Sequence, residues 1–313
     1  MARSPLMPSS PAAGLAESSS PAGRLRLRRI RAVVNPAAGS VGPDAAAGLA
    51  EIVAQHGYQL DLATPQPDEI EAAVRAAVDA APDLVLILAG DGTARLAAER
   101  AGPDGPLIAP LPGGTLNMLP HALYGQGPWR KALAATLAEG VERPVCGGRV
   151  CGRLFFVAAI LGAPALWGHA REAVRAGDLR EAARRANFAL RRAFTGRIHY
   201  ALDGRAVQAA AEALVLITPT VSRALDEDTA LEAAALDLHD AREAFRLALS
   251  GLAGDWRRDA GVTARPCASG VAEARRGVPA ILDGEVQRLP AHVEFAFVRR
   301  AFRALAPAAE AAS

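Results

Sequence analysis

The chain has 313 residues, 51% of them hydrophobic and 22% charged, with a formal net charge of +2; this balance describes a folded globular protein and excludes disordered, fibrous and disulfide-stapled classes. At roughly 100–200 residues per domain the length predicts two domains. The longest uncharged stretch, Leu154 to Gly168, contains Gly162 and Pro164 and is shorter than the ~18–20 apolar residues that cross a bilayer, so no transmembrane helix is expected.

Three cysteines, Cys146, Cys151 and Cys267, show no metal-ligand spacing, and their odd number argues against a disulfide framework, which points to a cytoplasmic chain. Lys131 is the only lysine. That excludes a lysine-bearing Walker loop, the strand lysine of protein kinases and Schiff-base catalysis. No Gly-x-Ser-x-Gly elbow occurs, which argues against serine hydrolysis. The near-neutral charge provides no global field for nucleic acid, so no nucleic-acid partner is expected and any phosphate binding must be local.

In chain order, residues 1–23 are rich in Ser, Pro, Ala and Gly without periodicity and read as a disordered tail. A basic run, Arg24 to Arg31, leads into an apolar strand at Ala32-Val33-Val34. It reads as a solvated entry to that strand or as a contact for anionic lipid. A helix is expected from Asp44 to His56, a strand at Gln59–Leu62 and a helix from Pro67 to Ala80, with Asp68 and Glu69 in its first turn. Buried strands follow at Leu84–Leu88 and Leu107–Ala109. Strands alternating with helices over 24–145 predict an α/β domain on a parallel sheet, whose ligands bind beyond the carboxyl ends of the strands.

After Val145 the pattern changes to strand-like segments near 149–160, 197–203, 212–218, 234–238, 262–268, 279–282 and 291–298. These predict a mainly antiparallel β-sandwich over 146–300, interrupted by an arginine-rich helical insert at 165–194. Residues 301–313 read as a C-terminal tail returning to the first domain. An exposed sheet edge offers a route to a homodimer.

Three of the strand-ending turns carry the residue types that bind phosphate: Asn35-Pro36-Ala37-Ala38-Gly39-Ser40, Gly90-Asp91-Gly92-Thr93 and Pro112-Gly113-Gly114-Thr115-Leu116-Asn117. Each puts φ-permissive backbone, a hydroxyl and helix-starting amides on one rim of the sheet, where N–H groups can approach an anion. Asp91, between two glycines, has clear access to a cation or ribose. A fourth element, Leu282-Asp283-Gly284-Glu285, is a hairpin signal by itself. Delivered to a phosphate rim by a second domain, its carboxylates would suit phosphoryl transfer, which needs positioning and a base for the acceptor hydroxyl.

The ordered set Asn-Pro-x-x-Gly, Gly-Asp-Gly-Thr, Gly-Thr-x-Asn and a late Asp-Gly-Glu resembles the bacterial lipid kinases of the diacylglycerol kinase catalytic-domain family, relatives of sphingosine kinases and, more distantly, of NAD kinases. The resemblance spans about residues 29 to 305. It implies a doubly wound α/β nucleotide-binding domain followed by the β-sandwich, with the active site between them. Carried over by residue, it implies that Asn35, Pro36, Gly39, Thr64, Gly90, Asp91, Gly92, Thr93, Gly114, Thr115 and Asn117 border ATP. Asp91 organises the phosphates and metal, and Asp283 or Glu285 activates a lipid hydroxyl. A Mg2+ site in the second domain would use Asp228 with the Leu225 and Ala230 carbonyls.

The chain departs from the family pattern at several positions. Ala89 stands where a third glycine is usual, Arg95-Leu96 where Asn-Glu is usual, and Met118 where an Asp is usual. Arg95 reads either as the phosphate-binding charge that lysine does not provide or as a surface arginine. The expected activity is ATP-dependent phosphorylation of a lipid such as diacylglycerol or a sphingoid-type lipid, at the inner face of the membrane. The alternatives are NAD kinase-like phosphorylation of a soluble alcohol and a non-catalytic nucleotide- or lipid-binding regulator.

Overall fold

The computed structural model describes residues 27–162, 197–205, 209–222, 225, 229–236 and 262–308. The predicted tail at 1–23, the insert at 165–194, Asp228 and residues 309–313 lie outside the described residues.

The first half of the chain alternates strand and helix as its periodicity requires: β1 (Ile30–Val34), α1 (Ala45–Gln55), β2 (Leu60–Ala63), α2 (Ile70–Asp79), β3 (Leu84–Ala89), α3 (Asp91–Ala101), β4 (Leu107–Pro112), α4 (Met118–Tyr124) and α5 (Trp129–Glu139). Strands β2, β1, β3 and β4 lie side by side in that order, all parallel. The pleat sends alternate residues of β3 to opposite faces. Leu84, Leu86 and Leu88 join Ile30, Val34, the α1 residues Leu49 and Val53 and the α5 residue Leu133 in one core. Val85, Ile87 and Ala89 join Val74 and Val78 of α2 and Ala94, Ala97 and Ala98 of α3 in the other. The sheet is therefore covered on both sides, which is why β3 is apolar without alternation. Helix α1 crosses one face and α2 and α3 the other, so the winding reverses between β1 and β3. Such a reversal opens a crevice at the carboxyl ends of those strands.

The second half is antiparallel. Strands β5 (Val141–Val150), β6 (Arg153–Phe155), β7 (Ala158–Gly162), β8 (Ile198–Leu202), β9 (Ala209–Ala211), β10 (Ala213–Ile217), β11 (Leu231–Leu236), β12 (Val262–Cys267), β13 (Ser269–Glu273), β14 (Val278–Leu282), β15 (Glu285–Leu289) and β16 (His292–Ala306) form two layers. One is a six-stranded sheet in the order β12-β11-β10-β7-β14-β15. The other is the first domain's own sheet, extended past β4 through β16, β13, β8 and β9, with β5 on β16 and β6 on β5. Val150, Phe155, Val293 and Phe295 from this layer pack against Leu161, Leu214, Leu216 and Leu282 from the six-stranded layer to make the sandwich core.

Two expectations change here. The boundary drawn at 145/146 falls inside β5. Residues 301–306, expected to begin a tail returning to the first domain, do return to it, but as the end of β16, which pairs with β5 from Val150 to Val141 across an irregularity between Val298 and Phe302 and reaches β4 at Ala304↔Ile108. Both strands are long enough to serve each domain in turn. The described part of the basic run, from Leu27 on, is also placed: the Arg28 and Arg29 amides donate to Asp83 Oδ2, both at 2.8 Å, and Arg31 pairs with Asp61 at 2.5 Å. These contacts sit at the start of β1, the opposite end of the sheet from the crevice.

Candidate active site

Because the four first-domain strands are parallel, the loops after β1, β3 and β4 emerge on one rim, where they are held together mainly by backbone. The Asn35 amide donates to Leu88 O at 2.9 Å, and Asn35 Oδ1 accepts the Ala37 N–H at 3.0 Å, an Asx turn that leads the chain out at Pro36. Ser40 donates from its amide to Gly113 O and from its hydroxyl to Gly114 O, both at 3.1 Å. Gly39 lies against Thr115, and the second and third loops touch where a Cβ on Gly114 would stand 2.8 Å from Gly90 Cα, closer than carbon atoms pack. Thr64 is exposed just beyond β2 on the same rim.

Asn117, expected beside the nucleotide, clamps its own loop. Buried and left-handed at φ 51°, it accepts the Gly114 N–H at 2.6 Å and donates to Gly114 O at 3.0 Å. Asp91 opens α3 directly after Gly90, whose extended backbone (φ −79°, ψ 170°) makes the helix start abruptly. Its Oδ1 accepts the Leu119 N–H at 3.4 Å, so the carboxylate also supports the beginning of α4. Burial pushes its pKa up, against the amides of Leu119, Met118 and Asn117 and the charge of His121. The Thr93 N–H donates to Gly90 O at 3.1 Å. The Ala94 N–H donates to the same oxygen at 3.1 Å, and the Asp91 and Gly92 N–H groups, at the helix start, have no acceptor within the helix.

The second domain brings its Asp-Gly turn to this rim. Asp283 (φ 45°) and Gly284 (φ 88°) are both left-handed, as a two-residue hairpin between twisted strands requires. Asp283 is only 6% exposed. Its Oδ2 accepts the Phe156 N–H at 2.7 Å and its Oδ1 the Val157 and Ala158 N–H groups at 2.9 and 3.0 Å. Burial pushes its pKa up to about 6, opposed by those three amides. Of the two carboxylates offered as base, Asp283 is buried and accepts three backbone N–H groups that hold the turn. Glu285 is exposed at the first position of β15.

Glu285 lies over the start of α3: a Cβ on Gly92 would collide with its Oε1. Its Oε2 accepts from Arg95 Nη2 at 2.6 Å, while Arg95 Nη1 donates to Glu99 Oε1 at 3.0 Å. Glu99 Oε1 also accepts the Leu154 N–H at 3.0 Å, so one helix of the first domain holds two segments of the second. Arg95, read from the sequence either as a phosphate-binding charge or as a surface arginine, pairs with carboxylates of both domains. The sequence reading missed Glu99, although its i,i+4 spacing from Arg95 was a usable signal. It also missed Leu116, which lies against Gly284. Leu96 and Met118, which replace the family's polar residues, pack on the core between α3 and α4. Of the second-domain metal stretch, Leu225 and Ala230 are described and Asp228 is not.

Residues 29–150, which supply the whole rim, match the model of the diacylglycerol kinase catalytic domain. The diacylglycerol kinase likeness extends to overall architecture. A solved diacylglycerol kinase from Bacillus anthracis str. Sterne superposes with a TM-score of 0.65 at 14% identity, covering 91% of this chain and 99% of its own. A candidate diacylglycerol kinase from the same strain superposes with a TM-score of 0.66 at 17% identity, covering 91% and 99%. No curated protein matches the sequence. Among the described residues no helix is long and apolar enough to cross a membrane.

Proposed function

We propose that the chain is an ATP-dependent lipid kinase that transfers the γ-phosphate to a lipid hydroxyl at the inner face of a membrane. The observation that carries this reading is the meeting of three glycine-bearing loops and one exposed carboxylate, Glu285, at a single rim. The loops offer backbone N–H groups and the start of α3 to a polyphosphate. Glu285 comes from the opposite domain and is exposed where it meets α3. It takes the proton of the acceptor hydroxyl as the phosphoryl group is transferred, the role a base plays when positioning and charge stabilisation do the rest.

The residues fit a cation that arrives on the nucleotide. Asp91 and Glu285 are hard oxygen donors, and Mg2+ is commonly held by one or two carboxylates together with substrate phosphates and water. When bound there, Mg2+ neutralises charge on the phosphates. Asp91 would be its protein ligand.

The test is transfer of labelled γ-phosphate from Mg-ATP to a mixed lipid extract. Wild-type protein is expected to label a lipid, and Glu285→Gln to lose about 100-fold or more of that activity, the contribution usual for a general base. Undiminished transfer by Glu285→Gln would remove the base from the mechanism. Nucleotide binding without transfer to any lipid would replace the kinase with a soluble-acceptor enzyme or a regulator.

A further inference from the structure

We infer that Arg95 is a positioning residue for the reaction: it ties one oxygen of Glu285, so that the other, Oε1, is the one left to take the acceptor's proton. The inference rests on the kinase reading of the rim, with Glu285 as base. The bonding of these two side chains carries it. Glu285 Oε2 accepts from Arg95 Nη2 at 2.6 Å, whereas Oε1 accepts no hydrogen bond from the described residues and lies over Gly92, where a Cβ would collide with it. A charge-assisted hydrogen bond of that length fixes a carboxylate more firmly than a neutral one. Arg95 is itself fixed. Its Nη1 donates to Glu99 Oε1 at 3.0 Å, one turn along α3, and the same oxygen accepts the Leu154 N–H at 3.0 Å. The base is thus oriented through a chain of contacts that runs from Leu154 through Glu99 and Arg95 to Glu285, and its untied oxygen stays at the Gly-Asp-Gly-Thr loop.

The backbone of the hairpin is held without Arg95. Asp283 secures the turn through three amides. Gln287, two residues along β15 from Glu285 and so on the same side of the strand, accepts from Arg153 Nη1 at 2.8 Å. Removing Arg95 therefore frees the Glu285 side chain, which is 45% exposed, and leaves its backbone in place. Nor does the position suit a purely structural tie. The Arg95 side chain is only 18% exposed, and its Nε is buried with no acceptor among the described residues. A desolvated cation with an unmet donor stabilises less than an apolar contact of similar size. Its neighbour Leu96 packs on the core in that apolar way. The charge is placed instead on the carboxylate that serves as base.

The experiment measures kcat and KM for transfer of labelled γ-phosphate from Mg-ATP to a mixed lipid extract, with thermal melts to verify folding. The proteins are wild type, Arg95→Ala, Arg95→Lys, Glu285→Gln and the double variant of Arg95→Ala with Glu285→Gln; Arg95→Gln stands in if Arg95→Ala does not fold. Arg95→Ala is expected to lower kcat about 10- to 100-fold, the consequence of a misplaced reacting group, with KM for Mg-ATP within about twofold of wild type. Arg95→Lys, which keeps the charge and loses the fork, is expected to recover part of that loss. In the Glu285→Gln background the loss of Arg95 is expected to cost nothing further, because Arg95 acts only through the carboxylate. Wild-type kcat in Arg95→Ala overturns the inference and leaves the kinase reading standing. So does a KM for Mg-ATP raised about tenfold or more, or a further loss in the double variant, either of which marks an arginine that binds phosphate itself. A loss that Arg95→Lys does not relieve, accompanied by a lowered melting temperature in both variants, marks a structural tie and also overturns it. Undiminished transfer by Glu285→Gln removes the base, and no transfer by wild type removes the kinase; either result overturns the inference together with that reading.

Discussion

The Asp283 carboxyl is under two opposed influences: burial favours its neutral form, and three N–H donors favour its charged form. Burial prevails, with the folded value about 6 against an ordinary 3.8. Between those values the folded chain binds more protons than the unfolded one, so this group's contribution to stability is fully present below about pH 4 and is lost as pH rises through 6. From pH 4 to 6 the unfolding free energy of wild type is expected to fall relative to that of Asp283→Asn by up to about 3 kcal/mol. Paired denaturant titrations would measure it, and a pH-independent difference would show that the carboxyl does not titrate in that window. The sequence offered Asp283 and Glu285 as equals because both flank one glycine. Burial separates them, and burial depends on where Phe156 to Ala158 lie, more than a hundred residues earlier in the chain.

At the scale of elements, the rim is a contact between loops, and its weakest tolerance is at Gly114. A Cβ there must push Gly90 Cα beyond 2.8 Å, which separates the second and third loops. Gly114→Ala is expected to cost about 1–3 kcal/mol, the usual range for forcing atoms into a packed contact, and to weaken Mg-ATP binding more than lipid binding. Calorimetry on the two ligands separates these effects, and unchanged nucleotide affinity would show that loop contact does not shape the pocket. These loops were legible as motifs because strand-ending glycines stand out against apolar runs. Their mutual contacts were not, since nothing local to Gly90 indicates that Gly114 will lie across it. Asn117, by contrast, closes its loop on Gly114 only three residues back.

Across the whole molecule, β5 and β16 join the two domains into one structure. Phe302, fully buried on β16, meets the ring of Phe156 edge to face at 5.0 Å, next to the amides that receive Asp283. Its replacement by alanine is expected to cost about 3–5 kcal/mol and to lower both domains together, because the ten-stranded sheet runs through both. A single calorimetric transition is expected for wild type and variant alike. Two resolved transitions would show that the strands connect the domains without coupling them.

The sequence by itself determined what neighbouring residues can encode: the strand and helix periods, the order of α/β before β, the placement of three loops on one rim and the family those loops resemble. Tertiary structure alone decided which carboxylate is buried, that one sheet serves both domains, and that Arg95 meets Glu285 from 190 residues away. The physical reason is range. Periodicity and turn chemistry are written over a few residues, whereas burial, ion pairing and sheet continuity arise when distant segments exclude water from the same place.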